Sequence, residues 1–156
     1  TLRLKDHPTR LLADVIDSLP HESITVFGIS YGGCVALDLA RQGMIIGGHT
    51  HTHPILTQTA IEHARKDIEL NIAALSDITG ARPRLFAYPN GRPGLDFTAE
   101  HMTLVKDLGF DAAVSTHWGT ATRHSELFSF PRLAPWPQSG TNLAFQIVRC
   151  ALEAKA

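Results

Sequence analysis

Cysteine is scarce in this chain: two among 156 residues, Cys34 and Cys150, with no Cys-x-x-Cys spacing. That excludes a disulfide scaffold, and the two thiols read as buried or incidental. Net charge is also nearly missing. Fourteen basic side chains stand against fifteen acidic ones, leaving −1, which argues against nucleic acid or an anionic membrane as a partner held by bulk electrostatics. No apolar run approaches the roughly 20 residues that span a bilayer. The N-terminus is charged and amphipathic and carries no signal-peptide pattern, which by itself points to the cytoplasm. Internal repeats, low-complexity tracts and a clear linker are absent as well.

What is present suffices for one domain with one core, since 44% of the residues are hydrophobic. Residues 9–19 place Leu11, Leu12, Val15, Ile16 and Leu19 at helical spacing, ended by Pro20. Residues 23–28 read as a buried strand. Gly28, Gly32 and Gly33 turn the chain into a helix over 34–42, capped by Gly43, and a short apolar strand follows at 44–47. A long helix is expected over 57–79, with Thr57 as N-cap, Gly80 as stop and Ile61, Ala64, Ile68, Leu70, Ile72, Leu75 and Ile78 as its apolar face. Residues 84–88 read as a strand, with a Pro89-Asn90-Gly91 turn. A helix over 98–108 turns Met102, Val105 and Leu108 inward and stops at Gly109. A strand over 110–115, a proline-rich loop over 119–140 and a closing helix over 141–154 complete the chain. Strands alternating with helices give an α/β class with a largely parallel sheet.

Nine histidines are many for this length, and three fall within five residues, at His49, His51 and His53. Neutral imidazole is a good ligand for zinc and other divalent ions. In a helical turn His49 and His53 share a face; in an extended segment all three do. Either geometry leaves His49 and His53 convergent, and a solvated His/Thr loop is the competing reading.

The stretch ARQGMIIGGHTHTHPILT resembles the second motif of the polysaccharide deacetylase (NodB-homology) family, H-[ST]-x-x-H followed by proline. The resemblance makes His49 and His53 metal ligands, Thr50 the small hydroxyl position and His51 a spectator. RLFAYPNG, residues 84–91, resembles the family's third motif, where a backbone N–H on the turn supports an oxyanion and the turn shapes an acetyl pocket. That role falls to Asn90, with Tyr88 beside it on the pocket. Ala87 stands where many members have arginine. LVKDLGFDAAVSTHWG resembles the family's next helix–strand pair, with Trp118 a candidate wall of the substrate groove. The later Leu-x-x-His motif has no match in LFSFPRLAPW, and His117 and His124 are the nearby substitutes. The likeness covers residues 40–156 and implies a shortened, distorted (β/α) barrel. It also implies a hydrolase that removes acetyl groups from N- or O-acetylated polysaccharide with Zn2+ or another divalent ion.

Two features strain that resemblance. The family's first motif, a Thr-Phe-Asp-Asp-Gly strand end carrying the base and the third metal ligand, is absent. Its nearest match is Leu4-Lys5-Asp6-His7-Pro8, where Asp6 takes the ligand position and Lys5 replaces the base. The deficit leaves a non-catalytic carbohydrate-binding or assembly domain as an alternative. In addition, VFGISYGGCVALDLA resembles the nucleophile elbow of α/β-hydrolases, G-x-S-x-G, with Ser30 at its apex. That supports a rival serine esterase, whose histidine and acid partners cannot be assigned. Residues 1–42 therefore read as an α/β-hydrolase-like βα segment of the same fold, and 43–156 as the deacetylase-like domain.

Overall fold

The computed structural model describes residues 45–132, the backbone of Thr25–Val26, and Arg149. The helices expected over 9–19, 34–42 and, Arg149 apart, 141–154, both cysteines, Ser30 and Asp6 lie outside the described residues. Strand β1 (Thr25–Val26) pairs in parallel with β2 (Ile45–Ile46). A 3-10 turn at Leu56–Gln58 leads into helix α1 (Ile61–Thr79) and strand β3 (Leu85–Ala87). Helix α2 (Ala99–Asp107), β4 (Ala112–Trp118) and β5 (Phe130–Arg132) follow.

The sheet order carries the fold. β3, β4 and β5 are parallel neighbours. Gly48 bridges to Phe86 in parallel, with Gly48 N–H donating to the Leu85 carbonyl at 2.7 Å and Ala87 N–H to the Gly48 carbonyl at 2.9 Å. The chain of β2 therefore continues beside β3, and five parallel strands stand in the order of the sequence. Such an order, with helices in the crossovers, is what a βα barrel wall requires, whereas a doubly wound sheet reverses direction at a switch point. The expected α/β class with a parallel sheet is the fold, and its strand order is that of a barrel wall. Among the described residues no helix is long and apolar enough to cross a membrane.

One face of this sheet is sealed by the helices. Phe86, Tyr88, Phe97, Phe110 and Ala113 form one cluster with Ala64, Ile68 and Ile72 of α1 and Leu104 and Val105 of α2. The i, i+4 row 64–68–72 follows the 3.6-residue period, so one narrow stripe of α1 is buried. Leu70 and Ile78, expected on that stripe, are 46% and 57% exposed, because they lie well around the helix from Ile68 and Ile72. Thr57 is not the N-cap. The helix begins three residues past the 3-10 turn, with Ala60 at the cap position and without a side-chain cap, while Gly80 ends it as expected. The strand expected over 110–115 runs later and longer, to Trp118. The supposed loop over 119–140 contains β5, whose Pro131 hid a strand that lies beyond β4 in the described sheet.

His101 ties α2 to the segment that follows the histidines. Thr98 N–H donates to His101 Nδ1 at 3.2 Å, so Nδ1 is the acceptor and Nε2–H donates to the Leu56 carbonyl at 3.1 Å. Burial, the largest influence, holds the His101 pKa below the usual imidazole value. The unfolded chain then takes up the proton first, so stability falls as pH drops through about 6.5 towards the lower folded value. The Tm should decline between about pH 7 and about pH 5, and His101→Gln should remove part of that decline. Parallel pH profiles for the two proteins would clear His101 of the effect.

Candidate functional site

All described strands run the same way, so their C-terminal ends meet along one edge. His49 follows β2 there, the Pro89-Asn90-Gly91 turn follows β3, Trp118 ends β4 and Arg132 ends β5. In barrels of this kind that edge is where chemistry is placed, because the loops converge on it.

The histidine segment is shaped by α1. Asn71 Oδ1 accepts from His49 N–H at 3.1 Å. One turn earlier, Asp67 accepts from His51 N–H at 2.7 Å, from Thr52 N–H at 3.1 Å and from the Thr52 hydroxyl at 2.6 Å. The buried Thr50 hydroxyl accepts from His53 N–H at 3.1 Å. Thr50 and His53 both adopt positive φ, 63° and 59°, so the segment is neither the helical turn nor the extended stretch that periodicity offered. A Cβ at Gly48 would stand 2.9 Å from Asn71 Oδ1 and 3.1 Å from the Phe110 ring, so a larger residue there would press on the amide that holds His49.

This geometry separates the three histidines. His51 and His53 are both exposed, but only the His53 ring meets that of His49, edge to face with centroids 4.9 Å apart. His49 Nδ1 donates to the Ala87 carbonyl at 2.7 Å, which fixes its tautomer and leaves Nε2 with a free lone pair. That Nε2 is buried and has no partner among the described residues. Burial foremost, and then the His53 and Arg132 charges, keep the His49 pKa below the usual value despite the opposing hydrogen bond to Ala87. His49 is thus held neutral, which is the form a metal ion needs. An orphaned lone pair on an imidazole anchored through its other nitrogen fits a divalent ion. Among the described residues no cluster of three or more His, Cys, Asp and Glu could complete such a site.

The loop at 67 makes a separate prediction. Three hydrogen bonds to one carboxylate should be worth about 1.5–3 kcal/mol together, because the acceptor is charged but the loop is exposed. Asp67→Ala should lower stability by that amount and speed amide exchange at His51 and Thr52. Unchanged exchange at those two amides would contradict it.

The turn after β3 is built around Asn90. Gly91 N–H donates to the Pro89 carbonyl at 2.6 Å and Asn90 sits at φ 56°, a conformation asparagine tolerates better than most side chains. Gly91, at φ 76°, has no room for a Cβ: one there would lie 3.1 Å from the Tyr88 carbonyl oxygen. Its carbonyl accepts from Thr116 N–H at 2.7 Å, which docks the turn on β4. Asn90 is exposed, and no described residue accepts from its backbone N–H.

Tyr88 does not wall a pocket. It is 1% exposed, stacked on Phe97 at 3.7 Å between centroids, and its hydroxyl donates to the Phe128 carbonyl at 2.9 Å. Burial pushes its pKa up, so it stays a donor. The cause is strand alternation: Phe86 and Tyr88 face the helices, so Ala87 between them faces the other way. Tyr88 therefore supports the turn from behind.

The segments after the two motifs are stapled together. Thr57 N–H donates to the Asp96 carbonyl at 3.2 Å and the Thr57 hydroxyl to the Leu95 carbonyl at 2.6 Å. Asp96 is itself buried and held by Arg92 Nε and Nη2 at 2.9 and 3.0 Å, and that guanidinium keeps its carboxyl below the usual range. His117 and His124 are both exposed. Sequence reasoning missed Asp67, Asn71 and Arg132. The first two lie one helical turn apart, each preceding a buried isoleucine of α1, and Arg132 is the lone base in the apolar stretch LFSFPRLAPW. Those are readable signals only once the neighbouring elements are known.

Comparison with solved structures finds the same fold. The chain superposes on the deacetylase PplD of Streptococcus pyogenes, solved with acetate, with a TM-score of 0.63 and 23% identity, over 72% of this chain and 49% of that one. For IcaB of Ammonifex degensii the values are 0.57 and 21%, over 70% and 50%. For a polysaccharide deacetylase of Bacillus cereus they are 0.67 and 17%, over 89% and 47%. The chain thus spans about half the length of these structures. No curated protein matches it. A family model described as polysaccharide deacetylase matches residues 30–113, more than half of the chain and including Ser30. The chain belongs to the polysaccharide deacetylase family.

Proposed function

We propose that this chain carries the active-site half of a metal-dependent hydrolase that removes acetyl groups from N- or O-acetylated polysaccharide. The observation that carries the reading is the buried, unpartnered His49 Nε2, anchored through Nδ1 to Ala87 and facing the His53 ring. His49 and His53 would hold Zn2+ or a similar divalent ion, with Asp6 as the proposed third ligand. When bound, such an ion supplies Lewis acidity to the acetyl carbonyl and lowers the pKa of water. The chain's own groups do the rest. The Asn90 N–H, from which no described residue accepts, donates to the oxygen on which negative charge develops, a contribution of a few kcal/mol in sites of this type. Asp67 and Asn71 keep the histidine segment in place. Trp118 walls the groove at the end of β4.

Metal removal tests this. The protein should release acetate from an acetylated oligosaccharide, lose that activity after chelation and regain it on adding Zn2+ or another divalent ion. Acetate release that survives chelation would overturn the metal mechanism and favour Ser30 chemistry. Tight metal binding with no acetate release would make the chain a carbohydrate-binding or assembly domain.

A further inference from the structure

Three buried side-chain atoms have no hydrogen-bond partner among the described residues: His49 Nε2, Trp118 Nε1 and Arg132 Nε. The first is a lone pair and suits a cation. The other two are donors, and they are neighbours. Trp118 and Arg132 are register partners on β4 and β5, which puts their side chains side by side on one face of the sheet. Both residues end their strands on the same edge of the parallel strands that the histidine segment follows, which sets the pair of donors on the side of the sheet where the histidines lie.

Buried donors are nearly always paired, and a buried cation without a counter-charge is expensive. Burial holds the Arg132 guanidinium below its usual pKa, and no described residue accepts from its Nε–H. A water molecule could accept from both donors but could not neutralise the charge. The complement to one indole N–H and one guanidinium N–H is a pair of oxygens sharing one negative charge, since charge-assisted bonds from arginine favour such planar acceptors.

We propose that Trp118 and Arg132 form a carboxylate-binding subsite beside the histidine pair. It rests on the deacetylase reading only in naming the source, which is either acetate released in the reaction or an acidic sugar of the substrate chain. The two donors require a carboxylate in both cases.

The indole N–H signal of Trp118 reports on the subsite directly. The chain has two tryptophans, and Trp118→Phe identifies which 1H–15N signal is which. Acetate is titrated into the protein in the presence of chelator, at constant ionic strength, with acetamide as the uncharged control and glucuronate as the acidic sugar. Acetate or glucuronate should shift the Trp118 signal saturably and acetamide should not. Arg132→Gln should weaken the binding about tenfold or more, as expected for a lost charge-assisted bond. Arg132→Lys, which keeps the charge but lacks the Nε–H, should weaken it less and serves if the glutamine variant does not fold. Tighter binding of glucuronate assigns the subsite to an acidic sugar, and tighter binding of acetate to the product. The proposal is overturned if no carboxylate shifts the signal, if acetamide binds as well as acetate, or if both Arg132 variants bind like the wild type. Chelator and the absence of turnover keep this result separate from the deacetylase reading, which acetate release tests by itself.

Discussion

Replacing His49 with alanine is expected to reduce acetate release by about three orders of magnitude, or about 4 kcal/mol of transition-state stabilisation. The imidazole is fixed on both sides of the argument: Nδ1 by the Ala87 carbonyl, Nε2 by burial without a partner. His51 does not take that position, because it is turned to solvent and its backbone N–H is bound by Asp67. His53→Ala should act in the same direction, and His51→Ala should leave the rate near the wild-type value. Metal content should fall with rate in the two ligand variants, while the thermal transition of the metal-free proteins stays close to the wild type. Full acetate release by His49→Ala would sink the proposed metal site. A rate lost without any change in metal content would assign His49 to proton transfer instead.

Phe86→Ala should destabilise the fold rather than disable the site. Phe86 is 0% exposed, meets Tyr88 and Phe110 at 5.3 and 5.1 Å between ring centroids, and sits on the central described strand, where Gly48 pairs with it. Deleting a buried phenyl ring from such a position costs about 3–5 kcal/mol, through lost burial and the cavity left behind. That is a large share of the roughly 5–15 kcal/mol that holds a domain together. Urea denaturation should show the midpoint falling with little change in slope. A loss below about 1 kcal/mol would mean that the two aromatic neighbours collapse into the space, and the core described above would be looser than its geometry implies. Paired with His49→Ala, this variant separates loss of scaffold from loss of chemistry.

The sequence was most legible where one period or one residue type decides the outcome. The 64–68–72 row announced the buried stripe of α1, and Gly80 and Gly109 marked the helix ends. The motif around His49 and His53 pointed to the family that the later comparison assigns. Reading failed where a tertiary partner overrides local pattern. Leu70 and Ile78 look like core residues until the packing direction of α1 is known. β5 hides behind a proline because it lies beyond β4, where pairing on one side suffices. Tyr88 sits in a motif that suggests a pocket, yet strand alternation turns it to the helices.

By itself the sequence determined the α/β class, the order of the described elements as far as β4 and which two histidines belong together, because hydrophobic period, glycine stops and motif spacing are local properties of the chain. Only the tertiary structure decided what those histidines can do. The Ala87 carbonyl that fixes the His49 tautomer is 38 residues away, and the Asp67 and Asn71 side chains that shape the segment come from a helix packed across it. The neighbouring donors on Trp118 and Arg132 come opposite each other because an irregularity in β4 shifts its register against β5. A lone pair left free in a dry place is a property of the assembled fold, since burial and hydrogen bonding are settled by what the rest of the chain brings alongside.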